Sequence, residues 1–426
     1  MAIEEEFMPD AEFEAVMADE LIEMVFQPVV SLEDERPVGY EAFARGPEGR
    51  LHSAAALFHA AAEAGRAVEL DELCAHLATR AFRAARTSGL ALFVNLNPET
   101  LSNEPGDGVA PAYADLMDES DVVVEITERA VTRRPAGLLD AVVDARRRTA
   151  RIALDDIGVD PASLAAMPLI NPDVVKLDPT IIRGATGSVS HVINAVLEDA
   201  RRRGAQIVAE GVERPEHVAT ARSLGATFAQ GWLFGRPGPL PVTIRPSDQR
   251  LARVEPRRVA RATPYDVLIQ TEAVHPTTAA QLNAMSAQIE DRALGATDPA
   301  ILVVNIGDLL NLTDDSLIRY AYLNSIGVEV FLVGHGIPFT PGGRVRGIPL
   351  ADDDPLRRER ATLLVGTDYG TGVFGRLRGR GTDGPIYDAG TTDDWDRVIE
   401  ATLPLVSRVK NEIAARGDDA APGDAR

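Results

Sequence analysis

Short apolar runs recur along the first half of the chain, at Met24–Leu32, Val38–Ala44, Leu90–Leu96, Asp121–Thr127, Arg151–Gly158, Asp173–Asp178, Gln206–Glu210 and Ala226–Gln230. Runs of this length, apolar on both faces, predict buried strands. The first two are joined by a short turn around Asp34–Pro37, so they read as a hairpin. Pro28 suits an edge there, because proline gives no ladder donor. Helical spacing fills much of the remainder, as at Ser53–Thr87, Gly137–Thr149 and Val189–Arg203. Strand alternating with helix predicts a parallel α/β sheet, and a span of roughly 230 residues favours a closed (β/α)8 barrel. Residues 1–20 are acidic and read as a short helix or a frayed lead-in.

Nearly every run carries a polar group at or near its C-terminal end. In order these are Glu41, Asn95, Glu125, Asp155 with Asp156, Lys176, Glu210 and Gln230, with Glu213 just beyond Glu210. Any one of them could be a helix cap or a satisfied core group. An Asp pair by itself could be an Asx turn. Strands closing into a barrel would instead bring them all to one rim, the end where such barrels keep their chemistry. That rim would hold six carboxylates and one lysine. Burying so many anions costs several kcal/mol each unless cations compensate them. Oxygen ligands with one amide suit hard divalent ions such as Mg2+ or Mn2+, and no Cys or His cluster favours zinc. Asp155 and Asp156 could bridge or divide two ions, the arrangement that activates water against a phosphodiester.

Composition narrows the partners. The formal net charge of -22 argues against a nucleic-acid surface, but bound cations leave a phosphorylated small ligand open. The single cysteine, Cys74, excludes an internal disulfide and fits a cytoplasmic setting, as a buried structural thiol. No window holds ~18 uninterrupted apolar residues, so no membrane span is expected. The acidic start, Met1–Glu6, is unlike a signal peptide.

With these residues in place, positions ~20–245 resemble the EAL-type cyclic di-GMP phosphodiesterases. The matching motifs fall in the family order: Phe26-Gln27-Pro28, Glu41-Ala42-Phe43-Ala44-Arg45, Phe93-Val94-Asn95-Leu96-Asn97-Pro98, Glu125-Ile126-Thr127-Glu128, Asp155-Asp156-Ile157-Gly158, Val175-Lys176-Leu177-Asp178, Ala209-Glu210-Gly211-Val212-Glu213 and Gln230-Gly231-Trp232-Leu233-Phe234-Gly235-Arg236-Pro237. The resemblance implies a TIM-like barrel whose first strand is antiparallel. It implies two Mg2+ or Mn2+ ions on Glu41, Asn95, Glu125, Asp155, Asp156 and Glu210, with Glu213 completing the shell through a water. Lys176 would hold or deprotonate the attacking water. Gln230 would order the site, Arg45 would touch a substrate phosphate and Gln27 would face a guanine. Cyclic di-GMP would be opened to linear 5'-pGpG by a protein that pairs as a homodimer. Three places depart from the family: Phe43 stands for its signature leucine, Ile157 for its phenylalanine, and Val159-Asp160-Pro161-Ala162-Ser163 for a more flexible loop that Glu128 would anchor.

Residues 248–263, rich in Pro and Arg, read as a linker or short connecting helix. From 264 to about 410 the pattern is again α/β. Strands are expected at Ala300–Asn305, Val328–Val333, Gly347–Leu350, Ala361–Val365 and Thr371–Arg376, and helices at Thr278–Leu294, Asp314–Ser325 and Trp395–Val409. The order resembles the DICT sensory domain, which implies a regulatory role. Residues 411–426 read as disordered. Two functions stand side by side: a two-metal phosphodiesterase, and a catalytically weak EAL domain that senses cyclic di-GMP and signals through a partner. A metal-free scaffold would leave the rim carboxylates uncompensated.

Overall fold

A computed structural model describes residues 10–85, 89–95, 121–127, 142, 145–146, 150–157, 167–184, 190–255, 263–296, 300–342, 345–367, 369–382, 384–406 and 408. Helix α1 (Ala11–Ala18) starts where the Asp10 carboxylate caps the amides of Glu12 and Phe13, and it buries Phe13 and Val16. Strands β1 (Glu23–Ser31) and β2 (Pro37–Arg45) form the expected hairpin. The alanine-rich stretch divides into α2 (Ala54–Glu63) and α3 (Ala67–Ala84). In α3, Leu70, Cys74, Leu77 and Ala78 fall on one buried face at helical spacing. Then come β3 (Ala91–Asn95), β4 (Val122–Thr127), β5 (Arg151–Ile157), α4 (Met167–Ile170), β6 (Val174–Leu177), α5 (Pro179–Ile182), α6 (Ser190–Arg203), β7 (Gln206–Ala209), α7 (Pro215–Ser223) and β8 (Phe228–Gln230). The eight strands close in chain order. β1 is antiparallel to both neighbours, and every other pair is parallel.

The two-residue period of a strand explains how the site arises. Val29, Phe93, Val123, Ala153, Val174, Val208 and Phe228 share one buried cluster inside the barrel. Two positions nearer the mouth on the same strands stand Gln27, Asn95, Glu125, Asp155, Lys176, Glu210 and Gln230. On β2 the residue below Glu41 is Gly39. A Cβ there would lie 2.8 Å from the Phe93 ring and 2.6 Å from the Ala91 carbonyl oxygen, so only glycine fits. The apolar layer thus excludes water beneath the polar one.

The stretch expected as a linker begins as the floor of this barrel. Residues 247–255 cross the N-terminal ends of the strands without forming a helix, and Leu251 completes the interior cluster from below. The Asp173 carboxylate accepts from the amides of Ile152 (2.8 Å) and Val254 (2.7 Å). The Ser247 amide donates to the Pro37 carbonyl, and the Ala252 amide to Gln206 Oε1.

The second region contains α8 (Pro264–Leu268), β9 (His275–Thr278), α9 (Ala279–Leu294), β10 (Ala300–Asp308), α10 (Asp314–Ser325), β11 (Val328–His335), β12 (Arg346–Pro349), β13 (Glu359–Gly366), β14 (Gly370–Gly381), β15 (Gly384–Thr392) and α11 (Trp395–Val406). Its seven strands run in the order β12-β11-β10-β13-β14-β15-β9. Only β10, β11 and β12 pair in parallel. Helix α11 keeps Asp396, Arg397 and Glu400 at the surface in its first half and buries every residue from Ala401 to Val406. A helical stretch buried on every side lies between two layers. Here those layers are the sheet and the barrel helices α4 and α6, all within one apolar cluster. The Arg202 guanidinium of α6 stacks 4.3 Å from the Trp395 ring centroid.

Candidate metal centre

Lys176 is the centre of the site. Its side chain is fully buried, and its ammonium lies 3.1 Å from Glu41, 2.7 Å from Glu125, 2.9 Å from Asp155 and 2.9 Å from Glu210. An ammonium has three protons, so it cannot satisfy four carboxylates at once. Asn95 Nδ2 adds bonds to Glu41 Oε1 (2.9 Å) and Glu125 Oε2 (3.0 Å). Gln230 Nε2 donates to Glu41 Oε2 at 2.8 Å and to Gln27 Oε1 at 3.1 Å, and Gln27 Nε2 donates to the Gly235 carbonyl at 2.9 Å.

Neighbouring residues of a regular strand face opposite ways. Asp155 and Asp156 escape this, because the β5–β6 register slips between Leu154 and Ile157 and Asp156 adopts a left-handed backbone, φ 59°. Aspartate tolerates that conformation better than most residues. The carboxylates therefore form two groups sharing one member: Glu41, Glu125 and Asp155, then Asp155, Asp156 and Glu210. Within each group the ligand oxygens lie within 4.8 Å of one another.

The electrostatics follow from burial. It pushes Glu125 well above the usual carboxylate range, and the Glu41 charge adds to this. It also pushes Glu210 up to about 8. Asp156 is raised by burial and then by Asp155. Glu41 resists: burial pushes it up, but the Lys176 charge and the bonds at its two oxygens outweigh that and hold it low. Burial would lower Lys176, yet the four carboxylates hold it well above its ordinary value. Five carboxylates cannot all ionise against one ammonium: Glu125 and Glu210 keep their protons unless further positive charge enters the site. Glu125 Oε1 and Asp155 Oδ1 accept no well-aligned hydrogen bond despite their short approach to Lys176. Oxygen donors this crowded fit hard divalent cations.

The family model described as the EAL domain matches residues 11–237. The chain belongs to the EAL domain family. Relatives include a probable cyclic di-GMP phosphodiesterase of Escherichia coli K12, PdeI, 27% identical over 228 residues, covering 51% of this chain and 29% of that protein. The cyclic di-GMP phosphodiesterase RocR of Pseudomonas aeruginosa is 32% identical over 170 residues, covering 38% of this chain and 43% of that protein. The chain thus spans less than half the length of either. Among solved structures, a manganese and cyclic di-GMP complex of Klebsiella pneumoniae BlrP1 matches with TM-score 0.46 and 25% identity, over 51% of this chain and 56% of that one.

The structure of this EAL domain places Glu41, Asn95, Glu125, Asp155, Asp156, Glu210, Lys176, Gln230 and Gln27 in one connected network. Arg45 stands at the end of β2, half-buried, with Nη1 donating to the Ala44 carbonyl at 2.8 Å. Phe43 lies between Glu41 and Arg45 on the same side of the strand and is half-buried. Glu213 points elsewhere, its carboxylate 2.8 Å from Arg183. Glu128 and the Val159–Ser163 loop lie outside the described residues. Sequence reasoning missed Arg183 and His217, whose Nδ1 accepts from the Glu213 amide at 3.2 Å. No motif marks either one. Among the described residues, no helix is long and apolar enough to cross a membrane.

Proposed function

We propose that this protein hydrolyses cyclic di-GMP to the linear dinucleotide 5'-pGpG at a centre holding two divalent cations, Mg2+ or Mn2+. One observation carries the reading: two carboxylate groups share Asp155 around a single buried lysine at the mouth of an EAL barrel. Glu41, Glu125 and Asp155 would hold one cation with the Asn95 amide oxygen, and Asp155, Asp156 and Glu210 the other. Bound there, the cations supply polarisation of the phosphodiester and activation of water.

The chain's own residues set the rest. Lys176 holds the water nucleophile and balances the charge of the carboxylates around it. Asn95 and Gln230 fix the rotamers of Glu41 and Glu125, so the ligands are pre-set. Arg45 reaches a substrate phosphate, and Gln27 meets a guanine edge. The apolar layer of Phe93, Val123 and Phe228 keeps water from entering from below. The second region acts as a DICT-like sensory domain that adjusts the barrel, and two EAL domains pair in the working form. The barrel part is residues 1–247 and the sensory part 264–410, joined by 248–263.

Incubating the full chain with cyclic di-GMP and Mn2+ or Mg2+, then separating products, tests this. Expected is 5'-pGpG, abolished by EDTA and far slower in Lys176→Ala. Cyclic di-GMP bound but unchanged would instead favour a receptor, the reading to which Phe43 beside Glu41 lends weight.

A further inference from the structure

The backbone of the turn after β7 is tied down at Glu210, Val212 and Glu213. The Glu210 amide donates to the Leu177 carbonyl (3.1 Å) and the Val212 amide to the Gln230 carbonyl (3.0 Å). The Leu233 amide donates back to the Val212 carbonyl (3.0 Å). The Glu213 amide ends on the buried His217 ring. Gly211, at φ 60°, presses on Pro179 at the start of α5, where a Cβ would lie 2.5 Å from the proline Cβ. Such a turn can change only by moving its side chains. Glu210 points to Lys176, whereas Glu213, only three residues on, points away to Arg183 just after α5.

We propose that Arg183 is a positioning residue, a latch that holds Glu213 off the metal centre until a cation draws it in. The inference rests on the metal-centre reading above. Without cations, the centre offers Glu213 no positive charge that Lys176 has not already given to four nearer carboxylates, and Arg183 gives it a better partner. With cations bound, the local field reverses, and Glu213 gains by turning toward them through a water. The two arrangements compete for one carboxylate. Arg183 therefore weakens cation binding by the strength of its own ion pair, since a group shifts an equilibrium only by its differential interaction with the two states. The pair is partly exposed, its side chains 45% and 32% accessible, so the effect is modest. An exposed pair of this kind supports a change of roughly two- to fivefold.

Titration calorimetry of the full chain with Mn2+ alone, without nucleotide, reads this directly. Arg183→Ala should bind the more weakly held cation roughly two- to fivefold more tightly than wild type. Arg183→Lys should stay near wild type. In a Glu213→Gln background, Arg183→Ala should have no effect on affinity. Thermal melting in EDTA checks that all variants are folded, which the exposed position of Arg183 favours. Wild-type affinity in Arg183→Ala, or tightening that persists in the Glu213→Gln background, overturns the latch while leaving the metal centre intact. Absence of saturable Mn2+ binding in wild type overturns the metal-centre reading, and the latch with it.

Discussion

Asp156 combines a strained backbone with a repelled carboxylate, and the two can be separated by substitution. Asparagine tolerates the left-handed region at φ 59° while removing the charge. In EDTA, Asp156→Asn should melt no lower than wild type, because a like-charge contact with Asp155 is gone. Asp156→Ala should lose about 1 kcal/mol or more from backbone strain. Adding Mn2+ should raise the melting temperature of wild type more than that of either variant, since a ligand stabilises in proportion to its affinity. Thermal melts with and without Mn2+ check all three. Cys74 offers a pH test. Burial, aided by Asp71, pushes its thiol up to about 12. A raised thiol pKa means the folded state keeps a proton that the unfolded chain loses near 9. This contribution to stability is complete below pH 9 and is lost as pH rises from 9 towards 12. The native thiol should stay unreactive to a disulfide reagent at pH 8, and react fully once the chain is unfolded.

At the scale of elements, the barrel was legible because its strands are short apolar runs and, on the parallel strands from β3 to β8, each inward site residue follows an apolar residue by two. Phe93 then Asn95, Ala153 then Asp155, and Val174 then Lys176 each announce an inward face. The floor was not legible. Residues 248–263 are rich in Pro and Arg, which reads as tether, and no periodicity reveals that Leu251 turns into the barrel. Strands β9 and β15 were hidden for related reasons: His275-Pro276-Thr277-Thr278 is short and polar, and Gly384–Thr392 carries turn residues along its length. The floor makes a sharp prediction. Leu251→Ala should destabilise the barrel by about 2–5 kcal/mol, the usual range for a buried leucine. A chain ending at 247 should melt well below one ending at 255, because only the longer one keeps Leu251 and the amide of Val254 on Asp173. Denaturant melts of the two truncations decide it.

Across the whole molecule, α11 ties the second sheet to α4 and α6, and a polar cluster secures α8, which shares the apolar cluster of α11. Thr263 Oγ1 and the Tyr265 amide donate to Glu359, and Arg376 Nε donates to the same carboxylate at 2.8 Å. Glu359 is 1% exposed. Glu359→Ala leaves Arg376 its Asp266 partner but strands the buried Tyr265 amide and takes an acceptor from the Thr263 hydroxyl, and should cost about 1–3 kcal/mol, readable as a lower denaturation midpoint. Removing the second region after residue 255 would uncover the apolar surface of α4 beneath α11. The shortened chain should therefore self-associate in sedimentation velocity more than the full one. The joint was invisible in the sequence because the apolar residues of α11 announce burial but name no particular neighbour.

The central claim is that the carboxylates around Lys176 form a centre for two cations with Asp155 common to both. Counting divalent ions per chain, by metal analysis after equilibrium dialysis against Mn2+, tests it most directly. Wild type should retain two, Glu41→Gln should weaken one, and Asp155→Asn should lose both. Equal metal content in wild type and Asp155→Asn would contradict the account.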